Sequence, residues 1–253
     1  MRIEQVGLQL YTVREAAARD FTGTLRRVAQ IGYRAVELAG YGGLAVPALR
    51  ATLDGLGLRA MGAHVAYTQF ETRIDEVCAE LRALGCDYAI VPSLPPALRG
   101  HAAGARQAAA NFNRWGAACR DAGLRFGYHN HAFEFAPLAD GRTLYDTLVA
   151  ETDPALVGME VDCFWVAYGG ASPVAVMRRL AGRLPIVHMK DLEPGPARAD
   201  APVGAGLLPY KQWIAIGEAA GAEWFIVEQD HPKNALEDVA TSFRNLQAMA
   251  GES

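Results

Sequence analysis

A short apolar strand that ends in a polar cluster occupies residues 124–135, which read LRFGYHNHAFEF. The run 124–128 has the apolar and aromatic composition of a buried strand. Two histidines, His129 and His131, follow it together with the carboxylate of Glu134. The polar cluster is therefore predicted where the strand emerges from the core, which is where parallel sheets usually carry functional side chains.

The same unit, a short strand followed by a helical stretch, recurs along the whole chain. Strands are predicted at residues 6–10, 35–38, 58–62, 88–91, 124–128, 157–161, 185–189 and 224–227. Helices are predicted at residues 21–31, 46–56, 72–84, 102–122, 143–150, 173–181, 210–220 and 236–249. Glycines that end helices before a tight turn are predicted at Gly32, Gly57, Gly85, Gly123 and Gly221. Eight such pairs predict an α/β fold, a closed (β/α)8 TIM barrel.

The length of the chain agrees with one barrel. The 253 residues include no linker-like stretch, so a single domain over residues 1–253 is predicted. An open doubly wound sheet is the rival architecture, but it usually has a glycine-rich phosphate turn after the first strand, and residues 9–13 (QLYTV) lack one. Residues 193–206 follow the seventh strand directly and are interpreted as an active-site loop.

Composition and charge narrow the class of protein. Hydrophobic residues make up 51% of the chain and the formal net charge is −4. This balance gives no general attraction for nucleic acid or for an anionic membrane, so neither is expected as a partner. No apolar run approaches the ~20 residues of a spanning helix, and Met1 leads into a strand without a signal sequence. The four cysteines lack short paired spacings, and a reduced, cytoplasmic protein is expected.

Polar residues follow almost every predicted strand. The strand ends carry, in chain order, Gln9, Tyr11, Glu37, His64, Ser93, His129, His131, Glu134, Glu160, Asp162, His188, Lys190, Glu228, Gln229 and His231. The C-terminal ends of the strands of a parallel barrel meet around one mouth. Charged residues would otherwise lie mostly on helix surfaces, so their concentration at strand ends predicts a single site.

Carboxylate and imidazole groups at four of these ends suit one divalent metal ion. Asp162, His188 and Glu228 each follow an apolar residue of a predicted strand directly. The fourth ligand is open: Glu134 lies several residues past its strand and is favoured, and His129 is nearer the strand and is the alternative. Oxygen and nitrogen ligands with room for a substrate suit Mn²⁺, Mg²⁺, Co²⁺ or Zn²⁺.

Seven motifs spread over nearly the whole chain resemble those of a known family. They are residues 8–14 (LQLYTVR), 33–37 (YRAVE), 128–135 (YHNHAFEF), 160–165 (EVDCFW), 187–191 (VHMKD), 203–206 (VGAG) and 227–230 (VEQD). Together they resemble the xylose isomerase-like TIM barrels, the broad sugar phosphate isomerase/epimerase family. Its members hold a divalent metal with Glu, Asp, His and Glu from strands five to eight. The resemblance carries the last three of these ligands onto Asp162, His188 and Glu228.

The chain departs from the epimerase pattern of that family at two places. The His129-Asn130-His131 run stands where tagatose 3-epimerase-like members have a metal-binding Glu. Trp165 stands where such epimerases carry a substrate-binding His, and it suggests an apolar wall against a sugar or cyclitol face. Related sequences with histidines on strand five include inosose dehydratase-like proteins and enzymes that act on 3-keto-glycosides. The endonuclease IV branch is disfavoured by the six histidines and the charge of −4.

These features predict a metal-dependent isomerase or epimerase of a ketose, keto-sugar or keto-cyclitol. The metal would chelate a carbonyl and stabilise the enediolate that forms when the neighbouring proton leaves. His131 or Glu228 is expected as a base, and Lys190 as a cation for the developing oxyanion or, alternatively, as the surface partner of Asp191. Direct substrate contacts are expected from Gln9, Tyr11, Glu37, His64, His129 and Trp165.

Two other functions are weighed against this one. A lyase or dehydratase would use the same site if a leaving group lies β to the carbonyl. A non-catalytic sugar-binding barrel is less favoured because Asp162, His188 and Glu228 are all present. The partner expected in either enzyme is a small sugar or cyclitol, and a homo-oligomer is possible because many relatives form one.

Overall fold

Eight parallel strands close into a barrel in the computed structural model, which describes residues 1–196 and 198–251. The barrel strands are β1 (Val6–Gln9), β2 (Ala35–Leu38), β3 (Arg59–His64), β4 (Tyr88–Val91), β5 (Arg125–His129), β6 (Val157–Asp162), β7 (Ile186–Met189) and β10 (Trp224–Val227). Neighbours follow chain order, and β1 pairs with both β2 and β10, which closes the sheet. The predicted TIM barrel is confirmed.

Ten α-helices surround the barrel or cross its mouth in the described part of the chain. They are α1 (Arg14–Arg19), α2 (Phe21–Ile31), α3 (Val46–Leu56), α4 (Tyr67–Leu84), α5 (Ala102–Asp121), α6 (Leu144–Glu151), α7 (Cys163–Tyr168), α8 (Pro173–Arg179), α9 (Tyr210–Ala220) and α10 (Ala235–Gly251). The prediction missed the two six-residue helices α1 and α7; α1 follows a 3₁₀ turn at Leu10–Val13, and α7 follows β6 directly. It also began α4 too late, because non-helical backbone at Arg73 (φ −150°) interrupts that helix.

The glycines predicted to end helices all have the left-handed backbone that the turn requires. Their φ angles are 127° at Gly32, 65° at Gly57, 76° at Gly85, 76° at Gly123 and 101° at Gly221. A residue with a Cβ is strained in this region, whereas glycine is not. Each of these tight turns leads from the end of a helix into the next strand within a few residues.

An apolar layer fills the lower part of the barrel. It consists of Ala35, Met61, Tyr88, Ile90, Ile186 and Ile226, with Trp224 packed against it. Apart from Trp224, each residue of this layer is at most 1% exposed. Larger apolar residues on the outer face of the strands pack against the helices. Polar strand ends therefore lie on an apolar floor, and the barrel is a filled core with one functional face.

The loop predicted over residues 193–206 is organised by one carboxylate. Its β9 (Asp200–Ala201) pairs with β8 (Asp191–Leu192), which immediately precedes the loop, in a two-stranded antiparallel ribbon. The side chain of Asp191 accepts hydrogen bonds from the backbone N–H groups of Gly204, Gly206 and Leu208 at 2.9–3.0 Å. Asp200 in turn accepts from the backbone N–H groups of Asp230 and His231. The loop is thereby tied to the ends of both β7 and β10.

Among the described residues, the helices are all too short or too polar to cross a membrane. The four cysteines are buried free thiols.

Close packing between α5 and the loop before β6 predicts a clear effect at Gly116. A Cβ there would lie 2.5 Å from the carbonyl oxygen of Leu156, whereas a Cβ at Gly55 in α3 would meet nothing within 4 Å. We expect Gly116→Ala to lower the free energy of unfolding by about 1–3 kcal/mol through overpacking. The matched control Gly55→Ala should raise it by about 0.5–1 kcal/mol, since alanine favours helix. Urea denaturation measures both; equal effects would contradict the close approach.

Candidate functional site

Three pairs of neighbouring strands place their polar residues side by side at the mouth. Gln9 is in register with Glu37, His129 with Glu160, and Asp162 with His188. His64 ends β3, and Glu228 follows β10 directly. All of these side chains lie at the C-terminal ends of parallel strands, which is why residues far apart in the chain converge.

An upper donor group consists of His129, Asp162, His188 and Glu228. Each residue offers a ligand atom, these atoms all lie within 4.8 Å of one another, and all four residues are buried. His188 Nδ1 lies 2.9 Å from Glu228 Oε2, and His129 Nε2 lies 3.9 Å from Asp162 Oδ2. Two carboxylates with two imidazoles form a donor set that divalent first-row metals bind.

Local backbone contacts hold Asp162 at this position. Its Oδ1 accepts the backbone N–H of Trp165 at 2.8 Å and so caps the N-terminus of α7. The Asn130 side chain donates to the Asp162 carbonyl at 3.3 Å and accepts its backbone N–H at 3.1 Å. The other carboxylate oxygen of Asp162, Oδ2, faces the upper donor group. Asn130 was not predicted as a site residue, although it lies inside the His129–His131 run.

A lower group of carboxylates lies beneath the first. Glu160 Oε1 is surrounded by His64 Nε2 at 2.7 Å, His129 Nδ1 at 2.9 Å and His188 Nε2 at 2.9 Å. Glu37 Oε2 accepts from Gln9 Nε2 at 2.8 Å and lies 2.8 Å from His188 Nε2. His129 and His188 thus direct one ring nitrogen to the lower carboxylates and the other to the upper group. Such carboxylate contacts orient histidines that bind metals.

Burial and mutual charge shift the ionisation of this cluster. Burial opposes protonation of His188, but the nearby carboxylates of Glu160 and Glu37 outweigh it and raise its pKa well above the ordinary value. Burial lowers the pKa of His129 well below its ordinary value. Burial also raises the pKa of Asp162 to about 6 against the opposing charge of Lys190. Opposed shifts of this kind concentrate at functional sites.

The structure places Glu134 apart from both groups. Tyr128 Oη donates to its Oε1 at 2.5 Å, and the backbone N–H of His131 donates to its Oε2 at 2.8 Å. Its short 3₁₀ turn, Phe133–Phe135, folds the carboxylate back under the mouth. Burial raises its pKa to about 7. Of the two ligands considered for strand five, the structure therefore brings His129, not the favoured Glu134, to Asp162, His188 and Glu228.

Lys190 is a fully buried ammonium among three carboxylates. Its Nζ lies 3.0 Å from Asp162 Oδ2, 3.0 Å from Glu228 Oε2 and 2.8 Å from Asp230 Oδ2. Tyr210 holds the backbone of Lys190 on both sides, since its hydroxyl donates to the carbonyl and accepts the N–H. The alternative of a surface pair with Asp191 is wrong, because Lys190 is buried and the Asp191 side chain accepts hydrogen bonds from backbone N–H groups of the loop.

Asp230 is a site residue that the prediction missed. It lies two residues after Glu228, so the alternation of an extended chain places both on the same side. Its side chain is 20% exposed and contacts Lys190. Its backbone is held by Asp200 and by Arg14, whose Nη2 donates to the carbonyl at 2.6 Å. The spacing within residues 227–230 was the available signal.

A cavity of about 360 Å³ opens above the upper group. Its lining includes Tyr11, His64, His129, His131, Glu228 and Asp230. Nδ1 of His131 is buried and has no hydrogen-bond partner among the described residues. Burial lowers the pKa of His131 to about 3, and Lys190 adds to that effect. The cavity is therefore lined by an unprotonated imidazole beside two donors of the upper group.

The remaining predicted contacts fall into two sets. Gln9 and Glu37 are 0% exposed and hydrogen-bonded to each other beneath the cavity. This position suits the support of His188 better than contact with a substrate. Trp165 lies beside the site, with its ring centroid 5.7 Å from that of His131 and 5.3 Å from Lys190 Nζ. Its role as an apolar wall against the substrate stays a prediction.

Comparison with known proteins agrees with this architecture. Residues 25–249 match the family model described as xylose isomerase-like TIM barrel. A sugar phosphate isomerase/epimerase from Parabacteroides distasonis has a crystal structure that superposes with a TM-score of 0.82 at 25% identity, over 96% of this chain and 93% of that one. The IOLI protein with a bound zinc atom shares the fold, with a TM-score of 0.75 at 12% identity and 98% coverage of both chains.

A sequence relative carries a different enzyme name. An inosose dehydratase from Geobacillus kaustophilus is 26% identical over an alignment of 190 residues, with coverage of 66% of this chain and 61% of that protein. The aligned part thus spans less than two thirds of that relative. The match to the family model covers most of the chain and includes all four residues of the upper donor group. The chain belongs to the xylose isomerase-like TIM barrel family.

Proposed function

We propose that this protein is a divalent-metal-dependent enzyme that removes the proton next to the carbonyl of a ketose, keto-sugar or keto-cyclitol, and that it isomerises or epimerises that substrate. The observation that carries the proposal is the upper donor group, His129, Asp162, His188 and Glu228, at the foot of an open cavity. His131 lines the same cavity, and its Nδ1 is buried without a hydrogen-bond partner among the described residues.

The residues present fit a divalent ion. Asp162 Oδ2 is buried without a hydrogen-bond partner in the described chain, and its 3.0 Å contact with Lys190 is an ion pair only. Asp162, Glu228 and Asp230 together carry two more negative charges than Lys190 offsets, which a divalent cation would balance. Mn²⁺, Mg²⁺, Co²⁺ and Zn²⁺ are the candidates. When bound, such an ion polarises a carbonyl and stabilises negative charge on its oxygen.

Each side chain around the cavity has its own role in the proposed reaction. The His131 ring, which lines the cavity, accepts the proton from the carbon next to the carbonyl, and the protonated ring returns it to the neighbouring carbon. For epimerisation, a second group delivers a proton to the other face of the same carbon. The Lys190 ammonium stabilises the negative charge that develops on a substrate oxygen. His64 and Tyr11 line the cavity and contact hydroxyl groups. Trp165 supplies an apolar wall for one face of the ring.

Dehydration is a second candidate outcome. The similarity to an inosose dehydratase favours it, and it begins with the same loss of a proton next to a carbonyl. If a hydroxyl lies β to that carbonyl, the enediolate expels it instead of being reprotonated, and the departing hydroxide takes the proton held by the His131 ring and leaves as water. The substrate therefore decides between the two outcomes at one site.

Exchange in D₂O tests the shared step. The metal-loaded protein is incubated with a panel of ketoses, 3-keto-sugars and inososes, and deuterium next to the carbonyl is followed by NMR. We expect exchange with at least one member, together with a new isomer or with a product that has lost one water by mass. If the protein takes up none of the four metals and exchanges no proton, the enzyme proposal fails and the sugar-binding barrel replaces it.

The fourth metal ligand has its own test. We expect His129→Ala to weaken binding of Zn²⁺ or Mn²⁺ by more than about 100-fold, because it removes a donor of the upper group. Glu134→Gln should change affinity by less than about threefold, since its carboxylate faces Tyr128 and the His131 backbone. Calorimetric titration of folded variants measures both. The reverse ranking would restore Glu134 as the ligand.

A further inference from the structure

Lys190 touches the same carboxylates that the upper donor group would offer to a metal ion. Its Nζ lies 3.0 Å from Asp162 Oδ2 and 3.0 Å from Glu228 Oε2. Both carboxylates belong to the donor group. An ammonium and a divalent ion are both cations that bind carboxylate oxygen, so the two compete for these atoms.

Asp230 gives Lys190 a partner outside the donor group. It makes the shortest of the three contacts, 2.8 Å, and it is the one with hydrogen-bond geometry. Its backbone is fixed by Asp200 from the loop and by Arg14 from α1. The acceptor therefore stays in place when the other two contacts are given up.

Charge also favours retention of the ammonium in the cluster. Lys190 is 0% exposed, so a complete loss of partners would leave a buried charge unpaired. Within the part of the cluster that contacts Lys190, three carboxylates, one ammonium and one divalent cation sum to zero. The balanced arrangement has the cation on Asp162 and Glu228 and the ammonium on Asp230.

We infer that Lys190 competes with the divalent ion for Asp162 and Glu228, and that Asp230 is the positioning residue that receives its ammonium when the ion binds. The inference rests on the metal site proposed above and adds a residue, Asp230, and a mechanism for releasing the site. It places Lys190 on the cavity side of the cluster, beside Trp165 and ready for a substrate oxygen.

Zn²⁺ and Mn²⁺ titrations of chelator-treated protein test the inference, because two single variants should change the metal affinity in opposite directions. We expect Lys190→Met to tighten binding by about tenfold, because the competitor is gone, and Asp230→Asn to weaken it by about tenfold. The double variant separates this mechanism from simple charge. If Asp230 acts through Lys190, Asp230→Asn changes affinity by less than about threefold in the Lys190→Met background.

Several results would overturn the inference. Additive effects in the double variant would show that Asp230 acts by its charge alone. Weaker binding by Lys190→Met would show that Lys190 supports the ion rather than competing with it. Failure of the wild type to bind any of Mn²⁺, Mg²⁺, Co²⁺ and Zn²⁺ would overturn both this inference and the metal site on which it rests, whereas the first two results leave the metal site intact.

A measurement on the wild type covers the case in which Lys190→Met does not fold. The chain has three lysines, Lys190, Lys211 and Lys233, so ¹³Cε-lysine labelling gives three signals, and Lys211→Arg and Lys233→Arg assign the third by elimination. We expect diamagnetic Zn²⁺ to shift the Lys190 signal and to leave that of Lys233, which is 73% exposed, unchanged. Saturation with Zn²⁺ and no movement at Lys190 would overturn the inference.

Discussion

Asp162→Asn and Glu228→Gln should each weaken binding of a divalent metal by more than about 100-fold, because each removes a carboxylate from the upper donor group. Asparagine is chosen at 162 because its side-chain oxygen also caps a helix, so α7 keeps its N-terminal hydrogen bond to the Trp165 N–H. The measurement is metal content by mass spectrometry after equilibrium dialysis against Mn²⁺ or Zn²⁺. Near-stoichiometric metal in both variants would contradict the assignment.

A surface carboxylate provides the matched control for charge. Asp54→Asn also removes one negative charge, but Asp54 is 56% exposed and pairs with Arg50 one turn away. It should leave metal content unchanged. The thermal stability of Asp162→Asn without metal supplies a second readout. Because burial raises the pKa of Asp162 to about 6, the charged form is disfavoured in the fold, and the neutral amide should raise stability at pH 8. Loss of metal by general unfolding is thereby excluded.

His131→Gln should slow exchange of the proton next to the carbonyl by about 10²–10⁴-fold, which is the usual contribution of a positioned base. Metal affinity should stay within about threefold of wild type, because His131 is outside the upper donor group. The rate is measured by NMR in D₂O with the substrate that the screen identifies. This separation between binding and proton transfer is the signature of a base.

The control for loss of an imidazole is His101→Asn. His101 is exposed and its ring caps α5 by accepting the Gly104 N–H, a role that asparagine can also fill. Exchange should be unchanged in this variant. If His131→Gln exchanges at the wild-type rate, the other expected base, Glu228, takes the role, and the ligand set must be reconsidered because Glu228 cannot serve freely as both.

Local patterns were enough to predict the barrel and the location of the mouth. β2, β4, α2, α3 and α9 have the predicted bounds, because each is a clear apolar or amphipathic run with a glycine or polar boundary. The helices α1 and α7 could not be predicted in this way. Each has only six residues, and α7 depends on a cap from Asp162 that also serves the site.

The candidate site was predicted less completely than the fold, because its geometry depends on contacts between distant residues. Spacing alone could not show that Glu134 turns towards Tyr128 instead of the mouth. Nor could it show that Gln9 and Glu37 lie below the cavity and hold His188. Asp162, His188 and Glu228 were easier to predict, since each directly follows an apolar strand residue and has little freedom of position.

The apolar floor of the barrel has a consequence for the order of events in turnover. Ile90, Ile186 and Ile226 are fully buried beneath the polar groups, so the interior is no passage from one end to the other. Reactant and product must use the same opening at the barrel mouth, and the product must leave before the next reactant binds. The product should therefore act as a competitive inhibitor against the reactant, and steady-state inhibition patterns would reveal it.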